Sequence, residues 1–564
     1  MTEKTIMRKD LGGKEIRDKL KGKSGQAYWS SLESISETDE FAELISREFP
    51  EQADQLSDSQ SRRNFLKLMG ASFAFGGLSA CTIQPQEKIV PQVRAPEELI
   101  PGRPSYFASA YPDHGYAFGV VVESQMGRPV RVDGNISHPA SLGGSKSVMQ
   151  ASILDLYDPD RAQTVTNAGR LSTPSVFWQQ LDQRLQMHAG KNGQGLRVLT
   201  QTTTSPTEGG LLRAIEIKYP EFKWHHYEPH GNDRSKRGSE IAFGKRLSCD
   251  YDFTKAQVIV SFNSDFTSKG STSARYSKHF SKARKIRDGQ STMNRLYMAE
   301  SSPSATGSMA DHRWSMNSSA IEALAVQIAD ELDVPLSGNY KIEEALPVGT
   351  IQAIVEDLRA HKGNSILICG ESCSPELHAL VHSINHKLGN VGSTVFYREH
   401  AELGSISQSD SFSDLIADME QGEVETLIIL DGNPLFHAPV DSGFREAFAD
   451  IEFRAHLTSH VNETSRQCQW QIGASHYLEA WGDLRAFDGT VSIVQPLIQP
   501  LYKTVSRLEM LGFLAGKAGV SGLDLLRDHW QAHSLEANFA IFWRKTLHDG
   551  FMAGTRFPQL TPKL

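Results

Sequence analysis

The pattern of apolar and polar residues predicts a small β-structure between residues 118 and 135. Phe118–Val122 is an apolar run typical of a strand, and Val130–Val132 fits a second short strand. Between them, Gly127-Arg128-Pro129 predicts a turn. Asp133-Gly134-Asn135 then ends the second strand with residues that tolerate positive φ. Taken alone, this stretch fits an ordinary hairpin followed by a glycine-rich loop.

Farther along the chain, predicted strands alternate with predicted helices. The apolar run Ala256–Phe262 is typical of a buried strand, and it ends at Asn263, where an open α/β sheet places its ligands. Asp431-Gly432-Asn433-Pro434 follows another such run and predicts a turn that permits close approach of the backbone. The alternation indicates doubly wound α/β domains. The other predicted elements are strands at Arg197–Thr200, Trp224–Glu228, Ser365–Gly370 and Thr426–Leu430, and helices at Gly210–Tyr219 and His378–Leu388.

The segment Phe118–Arg161, which contains GN..HP.S.G and YDPDR, resembles the opening of the molybdopterin oxidoreductase superfamily of the formate dehydrogenase and DMSO reductase type. Other segments are similar to ActB-type subunits, the periplasmic molybdopterin-type subunits of the quinol-oxidising alternative complex III. The similarity extends over most of residues 25–564 and implies a multi-domain α/β fold of the molybdopterin oxidoreductase type. The segments are MNRLYMAESSPSATGSMADHRW (293–314), INHKLGNVGSTV (384–395), LDGNPLFHAPVD (430–441) and HYLEAWGDLRAFDGTVSIVQPLIQPLY (476–502).

The chain departs from the active enzymes of that superfamily where a cofactor would be held. Those enzymes usually carry a cysteine cluster before the first strands, whereas Tyr106–Tyr116 contains no cysteine. They also ligate the metal with a Cys, Ser or Asp and close the site with a carboxyl-terminal barrel, and nothing after Tyr502 is typical of a barrel. The prediction is therefore a fold that lacks the barrel domain and binds no cofactor of its own. An active molybdenum or tungsten bis-pterin oxidoreductase with an unrecognised metal ligand is the alternative.

Three residues in the resembling segments are candidates for a vestigial cofactor cleft: His138, Asn433 and His437. For each of them, a role in turns and loop packing is the favoured interpretation. No catalytic residue and no metal ligand is predicted, because no Ser-His-Asp, HExxH, P-loop or GxGxxG context is visible in the sequence.

Two further groups of polar residues are assigned structural roles. Asp311, His312 and Arg313 are consecutive, and consecutive residues seldom converge on one substrate, so an ion pair or a capping role is predicted. His225 and His226 are neighbours on a predicted strand and should face opposite sides of it. A metal site shared by these two histidines is therefore not expected.

Composition narrows the function classes. Apolar residues make up 39% of the 564 residues and charged residues 22%, which describes a soluble globular protein. The formal net charge of −9 gives no indication of a nucleic-acid partner. Of the five cysteines, only Cys369 and Cys373 are close in sequence, so neither an iron–sulfur cluster nor a zinc site is predicted.

The amino-terminal region carries signals for export and lipidation. Ser61–Lys67 contains Arg62 and Arg63 and is close to the twin-arginine consensus. The uncharged residues 68–80 are too few for a membrane-spanning helix, which needs about 20, but they fit a signal sequence. Leu78–Cys81 resembles a lipobox, so Cys81 is predicted to be the acylated first residue of a mature lipoprotein at the periplasmic face of the inner membrane. An amphipathic helix is predicted around Phe41–Phe49.

The sequence thus predicts an extended export leader (1–60), a twin-arginine signal with its lipobox (61–80), a tether (81–105), a molybdopterin oxidoreductase-like region (106–500) and a helical segment (501–564). The resemblance implies a scaffold subunit, not itself catalytic, that organises electron transfer in a membrane quinol oxidoreductase. Its implied partners are an iron–sulfur ferredoxin-like subunit, multihaem cytochrome c subunits and polytopic quinol-binding subunits. Iron–sulfur clusters and haems are expected in those partners, with molybdopterin in this chain as the alternative. A stand-alone lipoprotein binding module is a second alternative.

Overall fold

The computed structural model describes residues 18, 20–23, 27, 31, 34, 100, 102–286, 292–335, 346–347, 349–534 and 538–564. The chain divides into two compact units, Met1–Glu97 and Glu98–Leu564. In the first unit, the Lys23 ammonium donates to the Ser31 hydroxyl over 2.9 Å. The predicted helix at 41–49, the arginines at 62 and 63 and the cysteine at 81 lie outside the described residues. None of the helices among the described residues has the length and hydropathy needed to span a membrane.

The second unit alternates strands and helices along most of its length. The strands are β1 (Ser105–Asp113), β2 (Tyr116–Gln125), β3 (Arg128–Gly134), β4 (Thr166–Asn167), β5 (Arg170–Leu171), β6 (Leu196–Thr200), β7 (Lys223–His226), β8 (Leu247–Tyr251), β9 (Val258–Phe262), β10 (Arg295–Glu300), β11 (His312–Ser315), β12 (Ser365–Cys369), β13 (Val395–Glu399), β14 (Thr426–Leu430), β15 (Phe453–Thr458), β16 (Trp470–Gly473), β17 (Gly482–Arg485) and β18 (Val491–Val494). The helices are α1 (Ser147–Leu156), α2 (Pro174–Ala189), α3 (Pro206–Lys218), α4 (Asp233–Phe243), α5 (Ser273–Ala283), α6 (Ala305–Ser308), α7 (Ser318–Glu331), α8 (Thr350–Ala360), α9 (Pro375–Lys387), α10 (Gln408–Glu420), α11 (Pro434–His437), α12 (Phe444–Ala449), α13 (Glu463–Gln467), α14 (Arg507–Leu514), α15 (Gly522–His533) and α16 (Phe539–Asp549).

The first three strands form an antiparallel sheet in the order β1-β2-β3. Both strands predicted between residues 118 and 135 are confirmed, inside β2 and β3 respectively. Alternate residues of β2 turn inward because side chains on a strand alternate between its faces. Phe118, Val120 and Val122 accordingly share a buried cluster with Val132 of β3 and Met149 of α1.

Two α/β layers account for most of the remaining chain. The larger sheet has the order β5-β4-β16-β15-β14-β6-β7, and its strands from β16 to β7 are parallel. The smaller sheet, β11-β10-β9-β12, is entirely parallel. In sequence the smaller sheet lies between β7 and β14, so the larger sheet is built from two separate parts of the chain. The doubly wound α/β prediction is confirmed.

Continuous apolar runs form the central strands because helices cover both faces of these sheets. On β14, Ile428 and Leu430 belong to one buried cluster, and Leu427 and Ile429 belong to the cluster on the opposite face. On β9, Val258 faces one cluster and its neighbour Ile259 the other. A strand buried on both sides therefore carries apolar residues at successive positions instead of alternating ones.

Two helices begin earlier than the sequence analysis predicted. Helix α3 begins at Pro206 instead of residue 210, and α9 begins at Pro375 instead of residue 378. In each case a serine precedes the proline and caps the helix: Ser205 accepts from the third helical amide, and Ser374 does the same. Proline is tolerated at the first helical position because the backbone N–H group that it lacks would have no hydrogen-bond partner within the helix. The serine–proline pairs were the local signal that the sequence analysis missed.

Residues after 501 are integrated with the larger sheet. Leu511 of α14, Leu526 of α15 and Trp543 of α16 belong to the buried cluster on one face of that sheet. The final residues then run on to other parts of the unit. The Phe557 amide donates to the Asp488 carbonyl over 2.9 Å, and the Leu560 amide donates to the Tyr397 carbonyl over 2.8 Å.

Candidate functional site

A narrow crevice lies at the carboxyl ends of two neighbouring strands of the larger sheet. Strands β6 and β14 run parallel and side by side, and the chain leaves them at Gln201 and Asp431. Asp431 and Gly432 have φ values of 64° and 77°, which produce the close turn that the sequence predicted. Open α/β sheets bind ligands at this kind of edge. The crevice is lined by Leu199, Thr200, Gln201, Tyr227, Asp431, Gly432, Asn433, Pro434 and His437.

The crevice brings together two of the three candidate residues, Asn433 and His437. The Asn433 amide nitrogen donates to a Glu463 carboxylate oxygen over 2.6 Å. Its oxygen accepts from the Thr464 amide over 3.2 Å and from the Thr464 hydroxyl over 2.8 Å. The His437 carbonyl accepts from the Tyr227 hydroxyl over 3.1 Å. Asn433 thus ties the loop after β14 to the start of α13, and both ends of its side-chain amide are occupied.

Asn433→Ala is expected to lower the free energy of unfolding by about 1–2 kcal/mol, since it removes an acceptor from the first turn of a helix. Urea denaturation followed by tryptophan fluorescence measures this loss. Asn433→Asp is the matched control: it keeps the acceptor for Thr464 but places a negative charge against Glu463. A variant Asn433→Ala as stable as the natural protein would contradict this tethering role.

The third candidate, His138, lies elsewhere. Its Nε2 is 2.9 Å from the Ser492 hydroxyl of β18, and its Nδ1 accepts from the backbone amides of Ala140 and Ser141 over 3.3 Å. A Cβ atom on Gly119 would lie 2.3 Å from the imidazole ring, so the ring packs directly against β2. His138 is fully buried, and burial lowers its pKa to about 4. It joins the first sheet to the β17–β18 hairpin as a neutral side chain.

This buried histidine predicts a loss of stability in mild acid. The pKa of His138 is about 4 in the folded chain against an ordinary value of 6.5, so the unfolded chain binds more protons between these values. The contribution of neutral His138 to the free energy of unfolding is complete above about pH 6.5. It decreases as the pH falls toward 4, by about 3 kcal/mol in total. Urea denaturation at pH 7.5, 6.0 and 5.0 measures the slope. Burial also lowers the pKa values of His226, His378 and His476 to about 4, so His138→Gln should make this slope shallower by the share of one histidine without abolishing it. A slope equal to that of the natural chain would contradict the assignment to His138.

The turn between β1 and β2 packs against the loop that follows β6. This turn, residues 113–116, is called the hairpin tip below. A Cβ atom on Gly115 would lie 2.2 Å from the Thr202 carbonyl oxygen, closer than any side chain permits. The Gly115 carbonyl also accepts from the Thr204 hydroxyl over 2.7 Å. The backbone of the hairpin tip is therefore in direct contact with the backbone of the loop after β6, at the sheet edge where the crevice lies.

A buried carboxylate, Glu402, holds the segments around the hairpin tip. It accepts hydrogen bonds from the Tyr116 hydroxyl, from the Lys236 ammonium and, over 3.3 Å, from the Gln408 amide. Gln408 also donates to the Thr202 hydroxyl over 2.8 Å. These five side chains, the Glu402 network, come from β2, the loop after β6, α4, the loop after β13 and α10. Burial by itself raises the pKa of Glu402, but Lys236 and the hydrogen bonds hold it below its usual value, so the carboxylate stays charged.

The carboxyl ends of the smaller sheet are tied together in a similar way. Asn263, which follows β9, donates from its amide to the Ser372 hydroxyl over 2.7 Å and accepts from the Ser301 amide over 3.2 Å. The Arg234 guanidinium of α4 donates to the Ser372 carbonyl over 2.7 Å. Helix α4 thus contacts both the Glu402 network and the loops of the smaller sheet. Asn263 can be singled out from the sequence because it follows an apolar run, whereas Glu402 and its partners are far apart along the chain and share no local pattern.

A pterin cofactor does not fit the crevice as it is built. The cavity volume there is about 10 Å³, which is about the room for one water molecule. Sites for molecules of cofactor size usually have volumes of about 300–1,000 Å³. A second cavity, of about 380 Å³, lies beside β4 and β16, and its lining contains none of the three candidate residues. Among the described residues, no group of three or more His, Cys, Asp or Glu side chains is placed to hold a metal ion.

The structure confirms the ion pairs expected near residue 311. Asp311 pairs with Arg284 over 2.7 Å, and Arg313 pairs with the buried Glu300. His225 and His226 are both buried on β7, but they have different surroundings: Nδ1 of His225 faces the Ser411 carbonyl at 2.8 Å, and the ring of His226 stacks on Trp224. The two imidazoles do not converge on one site.

Comparison with known proteins agrees with this architecture. No family model matches the chain. The chain is 22% identical over 530 aligned residues to the menaquinone reductase molybdopterin-binding-like subunit of Nitratidesulfovibrio vulgaris, covering 84% of this chain and 75% of the relative. Acetylene hydratase from Pelobacter acetylenicus superposes with a TM-score of 0.55 at 10% identity, over 73% of this chain and 69% of that structure. That enzyme has the molybdopterin oxidoreductase fold, so both the fold and the resemblance predicted from the sequence are confirmed.

Proposed function

We propose that this chain is the molybdopterin-type subunit of a membrane quinone or quinol oxidoreductase. The observation that carries the proposal is the similarity, over 84% of the chain, to a subunit of a menaquinone reductase. A subunit of such an enzyme works inside an assembly that exchanges electrons with a quinone. In this assembly the chain serves as a scaffold that fixes the positions of the electron carriers.

The scaffold role means that the chain binds no molybdenum or tungsten pterin. Two features support this part of the proposal. The crevice at the strand ends has room for about one water. The hairpin tip contacts the loop after β6 through Gly115 and Thr202, and the Glu402 network fills the space beside it with paired side chains. A cofactor in that position would have to displace protein that is already hydrogen-bonded.

The partners follow from the resemblance of the sequence to ActB-type subunits. We propose an iron–sulfur ferredoxin-like subunit, multihaem cytochrome c subunits and polytopic quinol-binding subunits, which carry the clusters and haems. The twin-arginine motif at Arg62 and Arg63 and the lipobox at Cys81 support export and acylation, which would hold this chain at the periplasmic face of the inner membrane.

Isolation from membranes tests the proposal. A carboxyl-terminally tagged chain is extracted in mild detergent and purified, and its haem spectrum, iron content and co-purifying subunits are measured. We expect haem and iron in stoichiometric amounts and several accompanying membrane proteins. A chain that is recovered from membranes alone, without haem or iron, would contradict the assembly and favour a stand-alone lipoprotein.

Two variants test the predicted location of the chain independently of its predicted assembly with partners. Replacing Arg62 and Arg63 together with lysine should keep the chain out of the periplasm. Cys81→Ser should permit export but release the chain from the membrane when the partners are absent. If the Cys81→Ser protein remains membrane-bound in cells that lack the partners, acylation of Cys81 is not what holds the chain at the membrane. That result would contradict the lipid anchor but not the proposed assembly.

A further inference from the structure

A cavity of about 380 Å³ opens beside the edge of the larger sheet, where β4 pairs with β16. Its volume lies in the usual range of about 300–1,000 Å³ for sites that bind small molecules. Three parts of the chain form its walls: residues 161–169, residues 461–466 and Gln471 of β16. The walls are joined by backbone hydrogen bonds, since the Ala162 amide donates to the Ser459 carbonyl over 2.7 Å. The cavity is therefore a preformed part of the fold.

The lining of this cavity carries positive charge and no negative charge. The described residues that line it are two arginines, five uncharged polar residues and three small or aliphatic residues, with neither a carboxylate nor an aromatic ring among them. A divalent cation would lack the carboxylate ligands that it prefers. A flat apolar ring such as that of a quinone would lack an apolar surface to pack against. The lining favours a small, polar, negatively charged ligand.

The first arginine, Arg161, is fixed at the wall by partners behind it. Its guanidinium donates to both carboxylate oxygens of Glu479, over 3.0 and 2.6 Å, and to the Leu156 carbonyl over 3.0 Å. The side chains of Arg161 and Glu479 are 1% and 0% exposed. Because Glu479 balances the charge of Arg161, this pair provides a rigid wall, and the unbalanced positive charge of the lining belongs to the exposed Arg466.

Several polar groups of the lining are not used by the protein itself. Among the described residues, no hydrogen bond partner is found for the hydroxyls of Thr164 and Thr166, the side-chain amide of Gln471 or the guanidinium of Arg466. Gln471 is nevertheless only 8% exposed, and Thr166 is its register partner between β16 and β4, so both side chains lie on the same face of the sheet. Polar groups that are buried to this extent normally have a partner. An oxyanion offers acceptors to several such donors at once.

We propose that this cavity binds a small molecule that carries a phosphate or carboxylate group. Arg466 holds the anionic group, and the Thr166 hydroxyl and the Gln471 amide donate to its oxygen atoms. One water takes up about 30 Å³ of the liquid, so the cavity accommodates roughly a dozen non-hydrogen atoms. Small phosphate monoesters and tricarboxylates have this size. The inference does not depend on the proposed function.

Calorimetric titration of the full chain tests the proposal. Inorganic phosphate and citrate are titrated separately at pH 7.5 and at constant ionic strength, so that general screening of charge stays the same. We expect at least one of them to bind with a Kd of about 1 mM or lower, and to slow amide hydrogen exchange in residues 161–169 and 461–471. Binding of phosphate alone would identify a phosphate-bearing ligand, and binding of citrate alone a carboxylate-bearing one.

Three variants place the binding in this cavity. Arg466→Glu should weaken it at least about tenfold, because a charged donor is replaced by a repelling carboxylate. Thr166→Val keeps the shape of a side chain whose hydroxyl has no partner within the protein, so it should weaken binding about threefold to tenfold without changing thermal unfolding. Arg213→Glu, the matched control, alters an exposed arginine of α3 outside the lining and should leave the affinity unchanged.

Two results would overturn the proposal. The first is that neither anion binds below about 10 mM. The second is that the natural chain and Arg466→Glu bind the anion equally well, which would place the anion elsewhere on the protein. Thermal unfolding of each variant without ligand confirms that it is folded, and the titration of the natural chain remains decisive if a variant is not.

Discussion

Glu402→Ala is expected to lower the free energy of unfolding by about 3–5 kcal/mol. The substitution leaves the Lys236 ammonium, whose side chain is 13% exposed, without its carboxylate partner, and it leaves the Tyr116 hydroxyl without an acceptor. A buried charge that loses its partner costs more than the pair contributes, because the remaining ion stays desolvated. Urea denaturation at pH 7.5, monitored by tryptophan fluorescence, measures the effect.

A pair of controls separates the charge from the packing. Glu402→Gln keeps the size of the side chain but removes its charge, so it should cost nearly as much as Glu402→Ala. Adding Lys236→Met to Glu402→Gln removes the orphaned ammonium and should restore much of the loss. If the double variant is no more stable than Glu402→Gln, the ion pair is not what holds these segments together.

Gly115→Ala is expected to cost about 3 kcal/mol or more, or to prevent folding. Gly115 has a φ of 79°, and the added Cβ would lie 2.2 Å from the Thr202 carbonyl oxygen, so the new methyl group meets backbone that cannot rotate away. The hairpin tip would have to separate from the loop after β6. Expression yield and thermal unfolding of the purified variant provide the measurement.

Gly127→Ala is the matched control for the conformational part of this effect. Gly127 has a φ of 77°, but nothing lies within 4 Å of its Cβ position. It should therefore show only the cost of placing alanine in the left-handed region, about 1 kcal/mol. Equal losses for the two variants would mean that the contact between Gly115 and Thr202 contributes nothing.

The sequence predicted those parts of the fold that depend on local patterns. The hairpin of β2 and β3 was predicted from two short apolar stretches on either side of a turn, and β14 was predicted because one threonine and four apolar residues follow one another. The starts of α3 and α9 were placed too late because the apolar period becomes visible only after the serine–proline caps.

Only those parts of the site whose residues lie close together along the chain were predicted from the sequence. Asn433 and His437 share a crevice because they belong to the same turn after β14. His138 lies apart from them, and its partner Ser492 is 354 residues away. Glu402 went unnoticed because its partners, Tyr116 and Lys236, are 286 and 166 residues distant, and no local pattern marks a polar residue that will be buried by long-range packing.

The metal and pterin content of the protein purified from membranes tests most directly whether this fold now serves as a scaffold. Elemental analysis for molybdenum and tungsten, with fluorescence of oxidised pterin extracted from the same sample, provides the measurement. We predict that both metals and the pterin stay far below one per chain, even in cells that load an authentic molybdenum enzyme. Stoichiometric metal together with pterin would show that the space beside the hairpin tip opens to admit a cofactor, and would establish an active oxidoreductase in place of a scaffold.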